Sequence, residues 1–262
     1  MTHIFLRVGR NMKKLSLILL ILSILLYQSA FAGTLQDVQR DVISLRKSSG
    51  SGSVCTGSVT FDWPMTADFV NGDDISLSGG CSVGDSTVTL GSAASGEASP
   101  FDTGYALYIP GSYDTATFAI TLNDIFNPAE GTISFDIYVS TWVDTARILG
   151  VEGQVNTDVL YITLQTSGEL RVTYEGNNAG AVTVTTAAAD LAVDTKYTVI
   201  VKWRLGATNP NLSITANSNT ATSDVDLTDW TVAASTANFG TFGSGLTPAL
   251  YIKNIRMYST WQ

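Results

Sequence analysis

From residue 54 onward the chain is built of short runs in which apolar and polar residues alternate. Side chains of a strand point to opposite faces with period two, so each run predicts one buried and one solvated face. "TISFDIYV" puts Ile133, Phe135, Ile137 and Val139 on one face. "VLYITLQT" does so with Leu160, Ile162 and Leu164, and "ELRVTYEG" with Leu170, Val172 and Tyr174. The "TSG" between the last two predicts a hairpin turn. "KYTVIVKWR" aligns Tyr197, Val199, Val201 and Trp203, and "NLSITAN" aligns Leu212 and Ile214. No useful helical period occurs after residue 53, and many short strands separated by turn signals predict an all-β sandwich.

One run loses step. In "LYIKNIRMY", Leu250 and Ile252 alternate, and then Ile255 and Met257 follow in the opposite phase. A regular strand would send half of these residues into water. A bulge at Lys253 and Asn254 adds one residue and lets all four face the same core.

Before residue 54 the pattern differs. Lys13 and Lys14, the apolar stretch Leu15 to Leu26 and the Ala30-Phe31-Ala32 site predict a secretory signal peptide over residues 1–32, with Met12 as its start. The alternative is an uncleaved anchor, for which the apolar run is short against the roughly 20 residues of a span. Leu35, Val38, Val42 and Leu45 follow at heptad spacing. They predict a short amphipathic helix, either frayed or acting as a homo-oligomer contact through residues 35–45. Ser48 to Ser53 is a Ser/Gly linker, which places the sandwich at 54–262.

Charge and cysteine content narrow the function. Removal of the leader leaves ten basic side chains against 23 acidic ones, a surface that repels phosphate and argues against nucleic-acid partners. The single histidine, His3, lies in the leader, which removes histidine-based catalytic triads and metal sites from the mature chain. Cys55 and Cys81 predict a disulfide in an exported protein, two buried free thiols being the alternative.

The strand runs, in this order, resemble the concanavalin A-like lectin/glucanase superfamily, in particular its laminin-G-like (LamG) members. The similar stretches are "GYALYIPGS" at Gly104 to Ser112, "GTISFDIYVS", "TKYTVIVKWRLGATNPNLSITANS" and "IKNIRMY" at Ile252 to Tyr258. The resemblance implies a two-sheet antiparallel jelly roll whose closing strand lies beside the first. It implies a non-enzymatic glycan-binding or adhesion role on an extracellular surface. The glucanase branch uses paired carboxylates spaced "E-x-D-x-x-E", and no such run occurs here, so no catalytic residue is assigned. Relatives that bind structural calcium in the last strand use an aspartate, where this chain has Lys253 and Asn254.

The candidate ligand residues are Trp142 and Trp230 as aromatic platforms, with Tyr138, Tyr161 and Asp136 on the polar phases of their strands. Edge packing is the competing reading for each aromatic, and Trp203 is expected in the core. No cofactor is required, and calcium is the candidate ion. The acidic loop "DFVNGDD", with Asp68, Asn71, Asp73 and Asp74, is the candidate site, followed by Asp224, Asp226 and Asp229. The sequon Asn211-Leu212-Ser213 would be a glycan acceptor in a eukaryotic secretory pathway.

Overall fold

A computed structural model of the protein describes residues 55–83, 86–111, 115–120, 125–143, 145–153, 158–165, 167–177, 179–187, 191–206, 208–231, 234–240 and 248–262. The expected signal peptide, amphipathic helix and linker lie outside the described residues.

In chain order the strands are β1 (Val59–Trp63), β2 (Cys81–Ser82), β3 (Ser86–Leu90), β4 (Ser95–Ala98), β5 (Tyr105–Ile109), β6 (Thr115–Ile120), β7 (Glu130–Thr141), β8 (Arg147–Gly153), β9 (Val159–Leu164), β10 (Leu170–Glu175), β11 (Val182–Thr185), β12 (Lys196–Arg204), β13 (Leu212–Ala216), β14 (Asn219–Ser223), β15 (Ala234–Gly240) and β16 (Ala249–Tyr258). They form two antiparallel sheets. One runs β14-β13-β12-β7-β16-β1-β2, with β5 also on β16 and β4 on β5. The other runs β11-β10-β9-β8-β15-β6-β3. A 3-10 turn, Ile75–Ser78, is capped by the Asp74 side chain and ended by Gly79 in the left-handed region.

The alternating runs become the inner faces of these sheets. Ile133, Phe135, Ile137 and Val139 of β7 face Leu160, Ile162 and Leu164 of β9 and Leu170, Val172 and Tyr174 of β10 across one apolar core. The predicted hairpin is present, with Leu164 opposite Leu170. Val199, Val201 and Trp203 are buried, while Tyr197 is half-buried at the rim. Phe135 meets Phe239 of the opposite sheet edge-on, with ring centroids 5.6 Å apart, the arrangement that aligns ring quadrupoles favourably. Trp203 stacks on Phe126 and donates its indole N–H to Asn127 O at 2.9 Å. Its partner across the ladder is Gly131, where a Cβ would come within 2.2 Å of the indole. Only glycine fits beneath that ring.

The closing strand contains the expected bulge. Lys253 pairs with Asp136 and Arg256 with Ser134, so three steps on β16 match two on β7. Asn254 takes φ +54°, in the left-handed region. Leu250, Ile252 and Ile255 are fully buried and Met257 nearly so. The bulge also marks a change of neighbour. On its other edge β16 pairs with β5 through Leu250–Ile252 and with β1 through Ile255–Tyr258. Cys55 and Cys81 are disulfide-bonded. The bond ties the approach to β1 to its neighbour β2, where Asp62 pairs with Cys81.

Deleting Asn254 restores regular alternation and turns Ile255 and Met257 outward. By the large-to-small series each lost apolar side chain costs roughly 2–5 kcal/mol, comparable to a domain's whole stability, so the deletion variant is expected to be unfolded by circular dichroism. Asn254→Gly relieves a left-handed backbone and loses one side-chain hydrogen bond, two effects of about 1 kcal/mol that oppose each other. Against a parent whose Asn254 side chain is unmodified, its thermal midpoint should stay close.

Replacing Cys55 and Cys81 together by alanine removes a short covalent loop worth about 3 kcal/mol. The double variant should melt roughly 5–10 °C lower. Alkylation of the non-reduced parent should find no free thiol in this pair.

Candidate functional site: the outer face of the nine-stranded sheet

The polar phases of β5, β16, β7 and β12 share the solvent side of one sheet, and the ladder registers align them in rows. In the first row Tyr108 lies opposite Tyr251, Tyr251 opposite Tyr138, and Tyr138 opposite Lys196. Each tyrosine sits between core residues on its own strand: Leu107 and Ile109, Leu250 and Ile252, Ile137 and Val139. Strict alternation therefore holds each ring outward. Tyr108 and Tyr251 stack at 4.6 Å, and Tyr138 meets Tyr251 edge-on at 6.1 Å. Phe101, from the loop before β5, stacks on Tyr138 at 5.9 Å. The result is a half-buried aromatic strip across three strands. Burial, then Asp194, raises the Tyr138 hydroxyl's pKa above the usual tyrosine value, and burial, then Tyr108, does the same at Tyr251. Both hydroxyls therefore keep their protons at neutral pH and remain hydrogen-bond donors.

The second row is built around Asp136, whose side chain is buried between Thr198 and the bulge. Its Oδ1 accepts from the Thr198 hydroxyl at 2.7 Å. Its Oδ2 accepts from Asn254 Nδ2 at 2.7 Å and lies 2.9 Å from Lys196 Nζ. Lys253, also buried, donates from Nζ to Asp102 Oδ1 at 2.6 Å and to Thr103 O. These bonds satisfy an ammonium that would otherwise be costly to bury. Lys253 and Ser99 hold the Asp102 carboxyl below its usual pKa against the opposing effect of partial burial. The same ion pair holds the loop bearing Phe101 against the sheet.

In the third row Arg256 lies between Ser134 and Asp62, and its guanidinium donates to Asp62 Oδ2 at 2.5 Å. That bond raises the arginine's pKa further above its already high range. A groove of about 280 Å³ runs along the second and third rows, lined by Asp62, Ser134, Asp136, Thr198, Asn254 and Arg256 together with Pro64 and Phe135. It presents two carboxylates, an amide, two hydroxyls and a guanidinium beside the aromatic strip. This mixture of donors and acceptors suits a polyol rather than an apolar ligand.

Of the sequence candidates, the structure brings Tyr138 and Asp136 together here. Tyr161 belongs to the other sheet, on β9, so it is corrected away from this face. Its ring lies under the Arg147 guanidinium at 3.8 Å and its hydroxyl donates to Glu152 at 2.9 Å. Burial, reinforced by Glu152, pushes its pKa up to about 12.

Trp230 is corrected from platform to core. It is 7% exposed and packs on Phe126 and Tyr174. Trp142 is half-buried against the core with its indole nitrogen shielded from solvent, and it lies outside the three rows. Tyr108, Tyr251 and Phe101 escaped the sequence reading. The signal for the two tyrosines was present, since both occupy the polar phase of their strands.

Side chains of the acidic loop accept from nearby backbone amides. Asp68, Asp73 and Asp74 accept from the amides of Phe69, Val70 and Ser76, and Asn71 accepts from Leu90. Asp226 accepts from Asn211 and Asp229 from the Trp230 amide. Among the described residues no group of three or more acidic, cysteine or histidine side chains is placed to hold a metal ion. Asn211 is fully buried, which keeps a glycosylating enzyme from the sequon in the folded state.

No protein-family model matches the sequence, and no curated protein matches it. Solved structures do. The Trypanosoma rangeli sialidase superposes with a TM-score of 0.55 at 16% identity, over 88% of this chain and 37% of that one. A structure titled for botulinum neurotoxin type C, whose cell entry depends on interaction with two ganglioside molecules, gives 0.52 at 14% identity, over 68% and 44%. The binding domain of botulinum neurotoxin DC in complex with SialylT gives 0.51 at 12%, again over 68% and 44%. This chain thus spans about a third of the sialidase and under half of the neurotoxin structures. At these identities the likeness is one of fold, a two-sheet β-sandwich shared with these proteins.

Proposed function

We propose that this protein is a secreted, non-enzymatic carbohydrate-binding or adhesion module of concanavalin A-like, LamG-like jelly-roll type. The observation that carries the reading is the in-register strip Tyr108–Tyr251–Tyr138 beside a polar groove on the open face of a sheet. Aromatic rings supply apolar contact to the C–H faces of a sugar. The carboxylate, amide and guanidinium groups supply directional bonds to its hydroxyls. Two of the structural neighbours carry titles that name a ganglioside or a sialylated ligand, which supports a glycan as the class.

Binding is favoured over hydrolysis because the groove's two carboxylates are both engaged by cations of the protein, Asp136 by Lys196 and Asp62 by Arg256. Most glycosidases use one carboxyl group to donate a proton and a second to act across the bond, sialidases with a tyrosine nucleophile being an exception. The disulfide fits an oxidising compartment. Among the described residues no helix is long and apolar enough to cross a membrane.

A second reading, a structural subunit of an extracellular assembly, draws on the sheet edges. The edge strands β14 and β11 read "NTATS" and "VTVT", with no charge or proline to discourage pairing with another chain. Light scattering separates the readings. A strict monomer, unchanged when residues 33–53 are removed, argues against the assembly.

A glycan array probed with and without calcium should give a defined set of ligands whose binding is independent of calcium. Tyr251→Ala and Tyr138→Ala should each weaken binding at least about tenfold, equivalent to 1.4 kcal/mol, while the thermal midpoint confirms a folded sandwich. No binding to any glycan in either condition would sink the lectin reading.

A further inference from the structure

We propose that Lys196 and Asn254 form a self-processing site that closes into an intramolecular amide bond, with Asp136 carrying the proton. This rests on a convergence independent of any ligand. One carboxylate oxygen, Asp136 Oδ2, touches both the Lys196 amine at 2.9 Å and the Asn254 amide nitrogen at 2.7 Å. A primary amine, a carboxylate and a primary amide are the three groups an amide exchange needs, and here they come from β12, β7 and β16 of one sheet.

The chemistry balances without an added reagent. Asp136 takes a proton from the Lys196 ammonium, and the neutral Nζ attacks Asn254 Cγ. The Cγ–Nδ2 bond breaks, the carboxyl returns its proton to the leaving nitrogen, the attacking nitrogen gives up its second proton to the same group, and the nitrogen departs as ammonium. One carbon–nitrogen bond forms and one is lost. Nothing is oxidised or reduced. Positioning and proton transfer by a fixed group are the sources of rate.

Each group is held for this role. Asp136 is only 6% exposed, and its other oxygen is fixed by Thr198. Asn254 is presented by the bulge, in a left-handed backbone that a non-glycine residue adopts at a cost. The Lys196 amine lies 5.4 Å from the Phe101 ring centre, which covers one side of it. Its remaining exposure leaves a path for ammonia.

The neighbouring pair Lys253–Asp102 has no such outcome. Its carbonyl partner is a carboxylate held in its charged form, which resists attack by an amine, and the lysine is bound to Thr103 O as well.

The test is the intact mass of the folded, purified protein after incubation at neutral to mildly alkaline pH. It should be lower than the sequence mass by one ammonia, beyond the two hydrogens of the disulfide. A tryptic digest should leave Lys196 uncut and yield one species joining the peptides that contain residues 196 and 254. Lys196→Arg keeps the ion pair but removes the nucleophile, and Asn254→Ala removes the electrophile. Each single variant should recover the full mass. A folded parent that retains the ammonia overturns the proposal. So does an ammonia loss that persists in both variants, since it would then arise at another residue.

Discussion

The outer face of this sandwich depends on one extra residue in its longest shared ladder. β16 must run beside β7 over its whole length and exchange partners, from β5 to β1, on its other edge. The bulge at Lys253–Asn254 falls at that exchange. It keeps Leu250, Ile252, Ile255 and Met257 on one core despite their uneven spacing. It also brings two consecutive polar residues to a central strand of the sheet. A regular strand would send one of them into the core; the bulge lets both reach Asp102 and Asp136.

From that device follows an ordered chain of alternating charge. Lys253 meets Asp102, Asp102 lies 3.8 Å from Lys196, Lys196 meets Asp136, and Asn254 closes back onto Asp136. Ion pairs at an exposed surface contribute little, but Lys253 and Asp136 are desolvated, so losing one partner leaves an unpaired buried charge. The network ties the loop carrying Phe101 to the sheet and so fixes one end of the aromatic strip. Fold, groove and strip are thus parts of a single arrangement centred on β7 and β16.

The opposite sheet plays a different part. Its inner face supplies Leu160, Ile162, Leu170, Val172, Tyr174 and Phe239 to the core. On its outer face Arg147, Tyr161 and Glu152 close on one another. A ring capped by a guanidinium and a hydroxyl bound to a carboxylate leave less for a ligand than the strip does. The same residue types therefore read as a candidate site on one sheet and as self-contained packing on the other.

Period-two alternation by itself determined the strands around Phe135, Ile162, Val172, Val201 and Ile214 and the sandwich they build, because burial on one face leaves little choice of register. The slipped phase in "LYIKNIRMY" likewise determined the bulge, since no regular strand buries all four apolar residues. The cysteine count, with the oxidising compartment that a signal peptide would imply, pointed to the Cys55–Cys81 bond. The tertiary structure alone decided which outward residues meet. Tyr108, Tyr251 and Tyr138 are far apart in sequence and become neighbours only through the order β5-β16-β7, which alternation does not encode. It also separated Tyr161 from Tyr138, since a strand pattern does not say which sheet a strand joins. Trp230 looked polar in its local context, but burial is set by what packs on a loop, here Phe126 and Tyr174. The acidic loop's carboxylates went to nearby amides because unpaired backbone donors compete for the same oxygens that a cation would need.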